Sequence, residues 1–325
     1  MRAFACLNCG QLVFFENDKC LNCGTALGFD WPARELVTLF EARPRCANAE
    51  LVGCNWLVDA EGELCFSCAL TRTRPADGDA VGLGELGVAE AAKRRLLFEL
   101  GELGLPIDGG GLAFDLLSSA FEPVTTGHAD GVITLDLAES DDAHRVAMRE
   151  QMAEPYRTVL GHLRHEVGHY FFPILVGDDR ALARARELFG DERDDYAAAL
   201  EHHYEEGPPA DWGERFVSAY ATMHPAEDWA ETFAHYLHIR DALQTAAAYG
   251  VRVEGPQAPA RGELESTPAD AERDFEEALD DWLPLTYALN AINRSMGRDD
   301  LYPFVLSEPA IRKLAFVDEL VRGRR

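Results

Sequence analysis

The segment from residue 161 to 172, GHLRHEVGHYFF, combines histidine and glutamate side chains at a spacing that suits metal chemistry. His165 and His169 are four residues apart, so on a helix they lie one turn apart on one face, where both can bind the same ion. Glu166 points about 100° away from His165, and from there its carboxylate can contact a metal-bound water without binding the metal. The pattern His-Glu-x-x-His therefore predicts a catalytic zinc site with Glu166 as general base. The alternative is a helix whose histidines are buried and hydrogen-bonded.

A catalytic zinc site needs a third protein ligand, because three ligands leave the fourth position to water. The segment 220–238, YATMHPAEDWAETFAHYLH, contains the carboxylates Glu227, Asp228 and Glu231, and Pro225 marks a predicted helix start within it. Glu227 and Glu231 lie one turn apart on that helix. If one of them binds zinc, the other can accept a hydrogen bond from the far nitrogen of a ligating histidine. Spacing alone leaves open which glutamate is the ligand.

The elements that must carry these residues are mostly helices. Pro155 suits the first turn of the helix that holds His165 and His169, and helical patterns continue almost to the C-terminus. Before them, residues 112–117 (LAFDLL) and 131–137 (GVITLDL) alternate in polarity, which predicts two strands with a turn between them. We therefore expect a small β-sheet followed by a mostly helical region.

The eight cysteines all lie in the first 68 residues, at a spacing that is typical of metal binding. The first four follow the pattern C-x2-C-x10-C-x2-C, in which each C-x2-C turn presents two thiolates to one ion. The remaining four make a second set with none left over. We predict two closed structural zinc sites, with iron as the alternative metal. The predicted ligands are Cys6, Cys9, Cys20 and Cys23 at the first site and Cys46, Cys54, Cys65 and Cys68 at the second.

The two motifs His-Glu-x-x-His at 165–169 and Glu-x-Trp-Ala-Glu at 227–231 resemble those of the gluzincin metallopeptidases, and most closely the lethal-factor and Pro-Pro-endopeptidase group. This resemblance implies that Glu227 is the zinc ligand and that Glu231 contacts a ligand from outside the coordination sphere. It also implies that Tyr220 donates a hydrogen bond to the oxyanion of the tetrahedral intermediate. The interval between the motifs is longer than in compact gluzincins. Residues 178–215 are therefore expected to form an inserted helical excursion that could cover the cleft.

Nearly the whole chain is also similar to a bacterial family of zinc-ribbon-containing, zinc-binding metallopeptidases. The similarity includes EDWAETFAHYLHIRDALQT (227–245) and NRSMGRDDLYPFVLS (293–307). It implies an α+β fold, in which a small cysteine-rich double zinc-ribbon domain precedes a zincin-like, mostly helical metallopeptidase domain with a small β-sheet. The Pro/Gly/Asp-rich segment after residue 70 is the expected boundary. We predict that residues 1–73 form the ribbon domain and that residues 74–325 form the gluzincin-like domain.

The composition restricts the partners of the protein. The formal net charge of −27 argues against broad nucleic-acid binding, which needs a face that neutralises phosphates. No stretch approaches the ~20 apolar residues of a membrane helix. The first residues, MRAFACLNCG, contain no apolar segment typical of a secretion signal. We therefore expect a cytoplasmic protein without a membrane segment.

Together these features predict a zinc-dependent peptidase that acts on a peptide or protein substrate with one catalytic and two structural zinc ions. Zinc would lower the pKa of its bound water, and Glu166 would take the proton and deliver it to the leaving amine. The ribbon is expected to recruit a protein partner or the substrate. One alternative is a zinc-dependent amidase acting on a small molecule. The other is a non-enzymatic zinc-ribbon adaptor, against which the presence of Glu166 argues.

Overall fold

The structure is a computed structural model that describes residues 1–39, 43–120, 122–141, 158–253 and 275–324. The predicted helix start at Pro155 lies outside the described residues. The described chain divides into two compact units. The first unit holds the described residues up to 141 together with 158–163, and the second unit holds those from residue 164 onward.

The N-terminal part of the first unit is built from two short antiparallel hairpins. Strand β1 (Phe4–Ala5) pairs with β2 (Leu12–Val13), and β3 (Leu27–Asp30) pairs with β4 (Glu35–Thr38). Strands this short bury little surface by themselves, so a region of this kind needs additional stabilisation from bound metal.

Two glycines close the cysteine turns of the first quartet. Gly10 and Gly24 have φ angles of 73° and 72°, in the left-handed region that glycine adopts without steric penalty. The amide of Gly10 donates to the carbonyl of Cys6, and that of Gly24 donates to the carbonyl of Cys20, both at 2.8 Å. Each of these bonds folds a C-x2-C turn back on its first cysteine.

Aromatic rings form the core beneath the hairpins. The ring centroid of Phe15 lies 4.8 Å from that of Phe29 and 5.1 Å from that of Phe98, and Phe29 lies 5.1 Å from Trp56. Phe29, Phe98 and Trp56 are fully buried. Since Phe98 belongs to a long helix further along the chain, this cluster joins the hairpins to the rest of the first unit.

The remainder of the first unit is a small sheet with helices. In chain order its elements are α1 (Ala49–Val52), α2 (Phe66–Ala69), β5 (Thr71–Thr73), α3 (Ala80–Glu102), β6 (Ala113–Leu117), β7 (Gly127–Ala129) and β8 (Val132–Asp136), followed by a 3-10 turn at Leu137–Ser140. The strand order is β5-β6-β8-β7, with β7 antiparallel to β8 and the other neighbours parallel. The predicted strands at 112–117 and 131–137 are confirmed as β6 and β8. The simple turn predicted between them is wrong, because parallel strands need a longer connection and β7 forms part of it.

The second unit consists mainly of helices. They are α4 (Val159–Leu175, which starts in the first unit), α5 (Asp179–Phe189), α6 (Tyr196–Glu206), α7 (Pro225–Ala248), α8 (Phe275–Ser295) and α9 (Glu308–Arg322), with 3-10 turns at Trp212–Glu214 and Tyr220–Thr222. The helix predicted around 161–172 is α4, and the one predicted from Pro225 is α7. Asp178 and Asp195 cap α5 and α6 by accepting hydrogen bonds from amides of the first turn.

A close contact between α4 and α7 aligns the two helices that carry the candidate site. The indole nitrogen of Trp229 donates to the carbonyl of Gly168 at 2.8 Å. A Cβ atom on Gly168 would lie 3.0 Å from the Cα of Ala230, so the absence of a side chain lets the two backbones approach. Phe171 and Phe233 stack beside this contact, with ring centroids 5.7 Å apart. The facing surfaces of α4 and α7 are thereby held in one register.

The α+β class is confirmed, since a cysteine-rich N-terminal region and small β-sheets precede a mostly helical remainder. None of the helices that the structure describes has an apolar stretch of the length that crossing a bilayer needs.

Candidate active site and metal centres

Three side chains from α4 and α7 converge in the second unit. The Nε2 atoms of His165 and His169 are 3.3 Å apart, and two oxygens of Glu227 lie 2.9 Å from His165 Nε2 and 3.5 Å from His169 Nε2. A tetrahedral zinc with bonds of 2.0–2.1 Å to nitrogen requires ligand atoms about 3.3–3.4 Å apart. The residues present therefore fit a zinc ion in both donor type and spacing.

Glu231 occupies the other side of His165. Its Oε1 atom lies 2.7 Å from Nδ1 of His165, and its Oε2 atom accepts a hydrogen bond of 2.6 Å from the hydroxyl of Ser218. The Ser218 oxygen in turn accepts a hydrogen bond from the amide of Ala221 at 3.1 Å. With Nδ1 donating to Glu231, the Nε2 atom of a neutral His165 can offer its lone pair to a metal.

The two glutamates one turn apart thus have different positions in the structure. Glu227 lies on the side of His165 where His169 also points, and Glu231 lies on the far nitrogen. The sequence motif did not indicate Ser218, because a serine in the turn-forming segment before α7 has no regular spacing to the other site residues.

The electrostatics of the cluster favour a bound cation. Burial opposes ionisation of Glu227, but hydrogen bonds from His165 and His169 outweigh it and hold the pKa of Glu227 below its ordinary value. Burial also opposes the charged form of His165, yet the contacts with Glu227 and Glu231 raise the pKa of His165 well above its ordinary value. Carboxylates that stabilise a proton on an imidazole also stabilise a metal ion in its place.

Glu166 lies beside the cluster and is buried. Burial raises the pKa of Glu166 above its ordinary value, while the nearby charges of His165 and His169 act in the opposite direction. Glu166 is therefore near enough to both histidines for their charges to act on its carboxylate.

Tyr220 borders the same cluster from the turn that precedes α7. Its ring centroid is 5.9 Å from that of His165. Burial, followed by the negative charge of Glu227, raises the pKa of Tyr220, so the phenol keeps its proton and remains a hydrogen-bond donor.

Two residues of α6 also reach this region, and the sequence gave no motif that indicates them. Burial, and then the carboxylate of Glu227, raise the pKa of Tyr196 to about 12. The ring of His203 lies perpendicular to that of Tyr220, with centroids 5.8 Å apart. The expected helical excursion therefore contains α5 and α6, and α6 brings side chains to the cluster.

The eight cysteines form the two predicted quartets in the first unit. Sulfur atoms are 3.7 Å apart in the pairs Cys6–Cys23, Cys9–Cys20 and Cys54–Cys65. Zinc bonds to sulfur of 2.3 Å in a tetrahedron require sulfur atoms about 3.8 Å apart, so both quartets fit a zinc ion. The second quartet is buried throughout, whereas Cys9 and Cys23 of the first are exposed.

Comparison with known proteins agrees with this chemistry. Residues 84–320 match the model of a family described as "Putative zinc-binding metallo-peptidase". The chain belongs to this family. Residues 3–79 match a zinc-ribbon domain, so the resemblance to zinc-ribbon-containing, zinc-binding metallopeptidases is confirmed.

Relatives of this metallopeptidase family member occur in mycobacteria. A protein of Mycobacterium bovis and one from each of two strains of Mycobacterium tuberculosis are 54% identical to it over 332 residues, covering 99% of this chain and 95% of each relative. All three are described as uncharacterized proteins. No solved structure matches the chain.

Proposed function

We propose that this member of the family is a zinc-dependent peptidase that hydrolyses peptide bonds in a peptide or protein substrate. The observation that carries the proposal is the convergence of His165, His169 and Glu227 at zinc-ligand spacing, with Glu231 on the far nitrogen of His165. A zinc ion held there would act as a Lewis acid that polarises the scissile carbonyl and acidifies a water molecule.

Protein side chains carry out the other steps of the proposed reaction. The Glu166 carboxylate accepts a proton from the attacking water and later delivers it to the nitrogen of the leaving amine. The Tyr220 hydroxyl donates a hydrogen bond to the carbonyl oxygen of the substrate as negative charge develops on it. Glu231 and Ser218 hold the imidazole of His165 in one orientation and one tautomer.

The ribbon in this proposal recruits the substrate or a protein partner. Leu7 and Leu21 stand at the same position in the two C-x2-C turns of the first quartet, and their exposed fractions are 71% and 85%. The double variant Leu7→Ser/Leu21→Ser should hydrolyse short peptides at the wild-type rate and protein substrates more slowly. Equal rates on protein substrates would contradict recruitment through these side chains.

A cytoplasmic location is also part of the proposal. Its support is that the eight cysteines group as two metal-ligand quartets, a use of cysteine that suits a reducing compartment. Cell fractionation with an antibody against the protein tests it, and recovery in the extracellular fraction would contradict it.

A peptide library analysed by mass spectrometry tests the proposed reaction. Wild-type protein and the Glu166→Gln variant are compared at equal zinc content, with Glu187→Gln on α5 as a control, since Glu187 is exposed. We expect Glu166→Gln to lower turnover by about 10²–10⁴-fold, the usual contribution of a general base, and the control to match wild type. Equal cleavage by wild type and Glu166→Gln would contradict the role of Glu166. A fully zinc-loaded wild type that cleaves no peptide would contradict the peptidase assignment.

A further inference from the structure

Helix α6 has little packing of its own but contacts the site at two points. None of its residues, from Tyr196 to Glu206, is fully buried. Tyr196 and His203 are seven residues apart, so they lie on one face about 10 Å apart along the helix axis. That distance corresponds to about three residues of an extended peptide.

Two ring contacts bring α6 beside the site: Tyr196 lies against His224, three residues before Glu227, and His203 lies against Tyr220. The carboxylate of Glu227 and the hydroxyl of Tyr220 are both close enough to the Tyr196 hydroxyl to act on its pKa. The exposed fraction of Tyr196 is 43%, so its side chain borders solvent. Tyr220 is more deeply placed and lies against the rings of His165 and His203. Tyr196 therefore borders the cluster from the solvent side, and Tyr220 borders it from the buried side.

The start of α6 is fixed by a buried histidine. His224 caps α7, and its Nδ1 atom accepts a hydrogen bond of 3.1 Å from the amide of Ala226. Its Nε2 atom therefore carries the proton and donates to the carbonyl of Asp194 at 3.0 Å. The ring of His224 also contacts the ring of Tyr196 edge-on, at 5.2 Å between centroids.

The connection before α6 is held by local ion pairs. Arg186 binds Glu192 through two hydrogen bonds, of 2.9 and 2.5 Å, and Arg193 binds Asp191 at 2.8 and 2.6 Å. Together with His224, these contacts fix the point where Tyr196 enters the site. A donor that is held in place before substrate binds loses little entropy in the reaction.

We propose that Tyr196 is a second hydroxyl donor of the active site, which hydrogen-bonds the scissile carbonyl oxygen from the solvent side while Tyr220 does so from the buried side. In this arrangement the face of α6 between Tyr196 and His203 forms a wall along which an extended peptide lies. The inference rests on the proposed peptidase function and assigns a catalytic residue to it.

The variant Tyr196→Phe removes only the hydroxyl and is compared with Tyr249→Phe. Tyr249 has a similar exposed fraction, 40%, and caps the far end of α7, about 33 Å along that helix from Glu227. Two readouts use the full zinc-loaded protein: kcat and KM on a cleaved library peptide, and the Kd for an alanine phosphinic tetrapeptide measured by calorimetry. The tetrahedral phosphinate resembles the transition state, so its affinity reports the hydrogen bond without turnover.

We expect Tyr196→Phe to lower kcat at least tenfold with KM within twofold, and to weaken phosphinate binding at least tenfold. Zinc content and Tm should equal those of wild type, and Tyr249→Phe should change neither readout. Phosphinate affinity and kcat within twofold of wild type would overturn the inference, as would a loss of zinc or a lower Tm in Tyr196→Phe. If wild type binds the phosphinate but hydrolyses no peptide, the proposed function fails, and the calorimetric comparison still decides the role of Tyr196.

Discussion

Zinc fits both the two cysteine quartets and the His165–His169–Glu227 cluster. The two kinds of site differ in whether they leave a coordination position of the ion vacant. Each quartet offers four thiolates from one short stretch of chain, which closes the coordination sphere. The cluster offers three ligand groups from two helices, with Glu166 and Tyr220 beside them. Under the proposed function, ligand number and neighbouring groups, rather than the metal, separate the structural sites from the reactive one.

The two kinds of site also depend on the fold in opposite ways. The cysteines lie in turns and loops between short strands and one-turn helices that bury little surface by themselves, so bound metal would stabilise this region. The cluster is held by the packing of α4 on α7 through Gly168 and Trp229, so there the fold would position the ligands before a metal binds. Loss of metal should therefore unfold the first region and only inactivate the second.

The largest effect is expected from a substitution in the second cysteine quartet, which is buried throughout. Cys65→Ser should abolish one structural zinc site, and such sites contribute about 10–16 kcal/mol against a total stability of about 5–15 kcal/mol. We expect the N-terminal region to unfold, measured as rapid proteolysis of residues 1–79 and loss of one zinc. Cys23→Ser, at the exposed edge of the first quartet, should have a smaller effect. A Cys65→Ser protein with full zinc content and wild-type protease resistance would contradict this difference.

The second largest effect is expected from a substitution in the His165–His169–Glu227 cluster. Glu227→Ala should remove one zinc and reduce peptide hydrolysis to background, because two histidines alone hold the ion weakly. Protease resistance of the N-terminal region should not change. Zinc analysis and limited proteolysis of the same preparation measure both results. If Glu227→Ala kept about three zinc ions per chain, one for each ligand group, the comparison between the two kinds of site would fail.

A smaller effect tests the helix contact that positions the cluster. Gly168→Ala places a Cβ atom 3.0 Å from the Cα of Ala230 and should lower the free energy of unfolding by about 1–3 kcal/mol. Gly87→Ala in α3 is the matched control, since nothing lies within 4 Å of its added Cβ atom and helix propensity should raise stability by up to ~1 kcal/mol. Urea unfolding followed by tryptophan fluorescence measures both. A Gly168→Ala protein as stable as the control would show that the close approach is unimportant.

The smallest effect is expected from removing a hydrogen bond that helps Glu231 to orient the imidazole of His165. Ser218→Ala removes the hydrogen bond to Glu231, and we expect zinc affinity at the cluster to fall by about tenfold. Competition with a chromophoric chelator measures this affinity. Ser295→Ala on α8 serves as the control, since its hydroxyl bonds only to a backbone carbonyl of its own helix. Unchanged affinity in Ser218→Ala would mean that Glu231 alone orients the imidazole.

The sequence predicted well those features that depend on short-range spacing. The cysteine quartets and the histidine pair on α4 are defined by intervals of a few residues, which one turn or one helix converts directly into proximity. The same holds for strands β6 and β8, whose alternating pattern reflects burial of one face. Strand β7 was missed because it is three residues long and lies in a segment rich in turn-forming residues.

Features set by tertiary packing could not be read from spacing. Glu227 and Glu231 have the same helical periodicity, and which of them meets His169 depends on how α7 is rotated against α4, which the contact at Gly168 determines. Tyr196 belongs to no motif, and its place at the site depends on the bond from His224 to the carbonyl of Asp194. Ser218 likewise reaches Glu231 only through the fold of the chain before α7.

The most direct test is a crystal structure of the zinc-loaded protein with an anomalous difference map at the zinc edge. We predict one peak in each cysteine quartet and one peak bonded to His165 Nε2, His169 Nε2 and an oxygen of Glu227, with bonds of about 2.0–2.2 Å. Glu231 should remain on Nδ1 of His165. A third peak bonded to Glu231 in place of Glu227, or no peak near His165, would contradict the proposed active site.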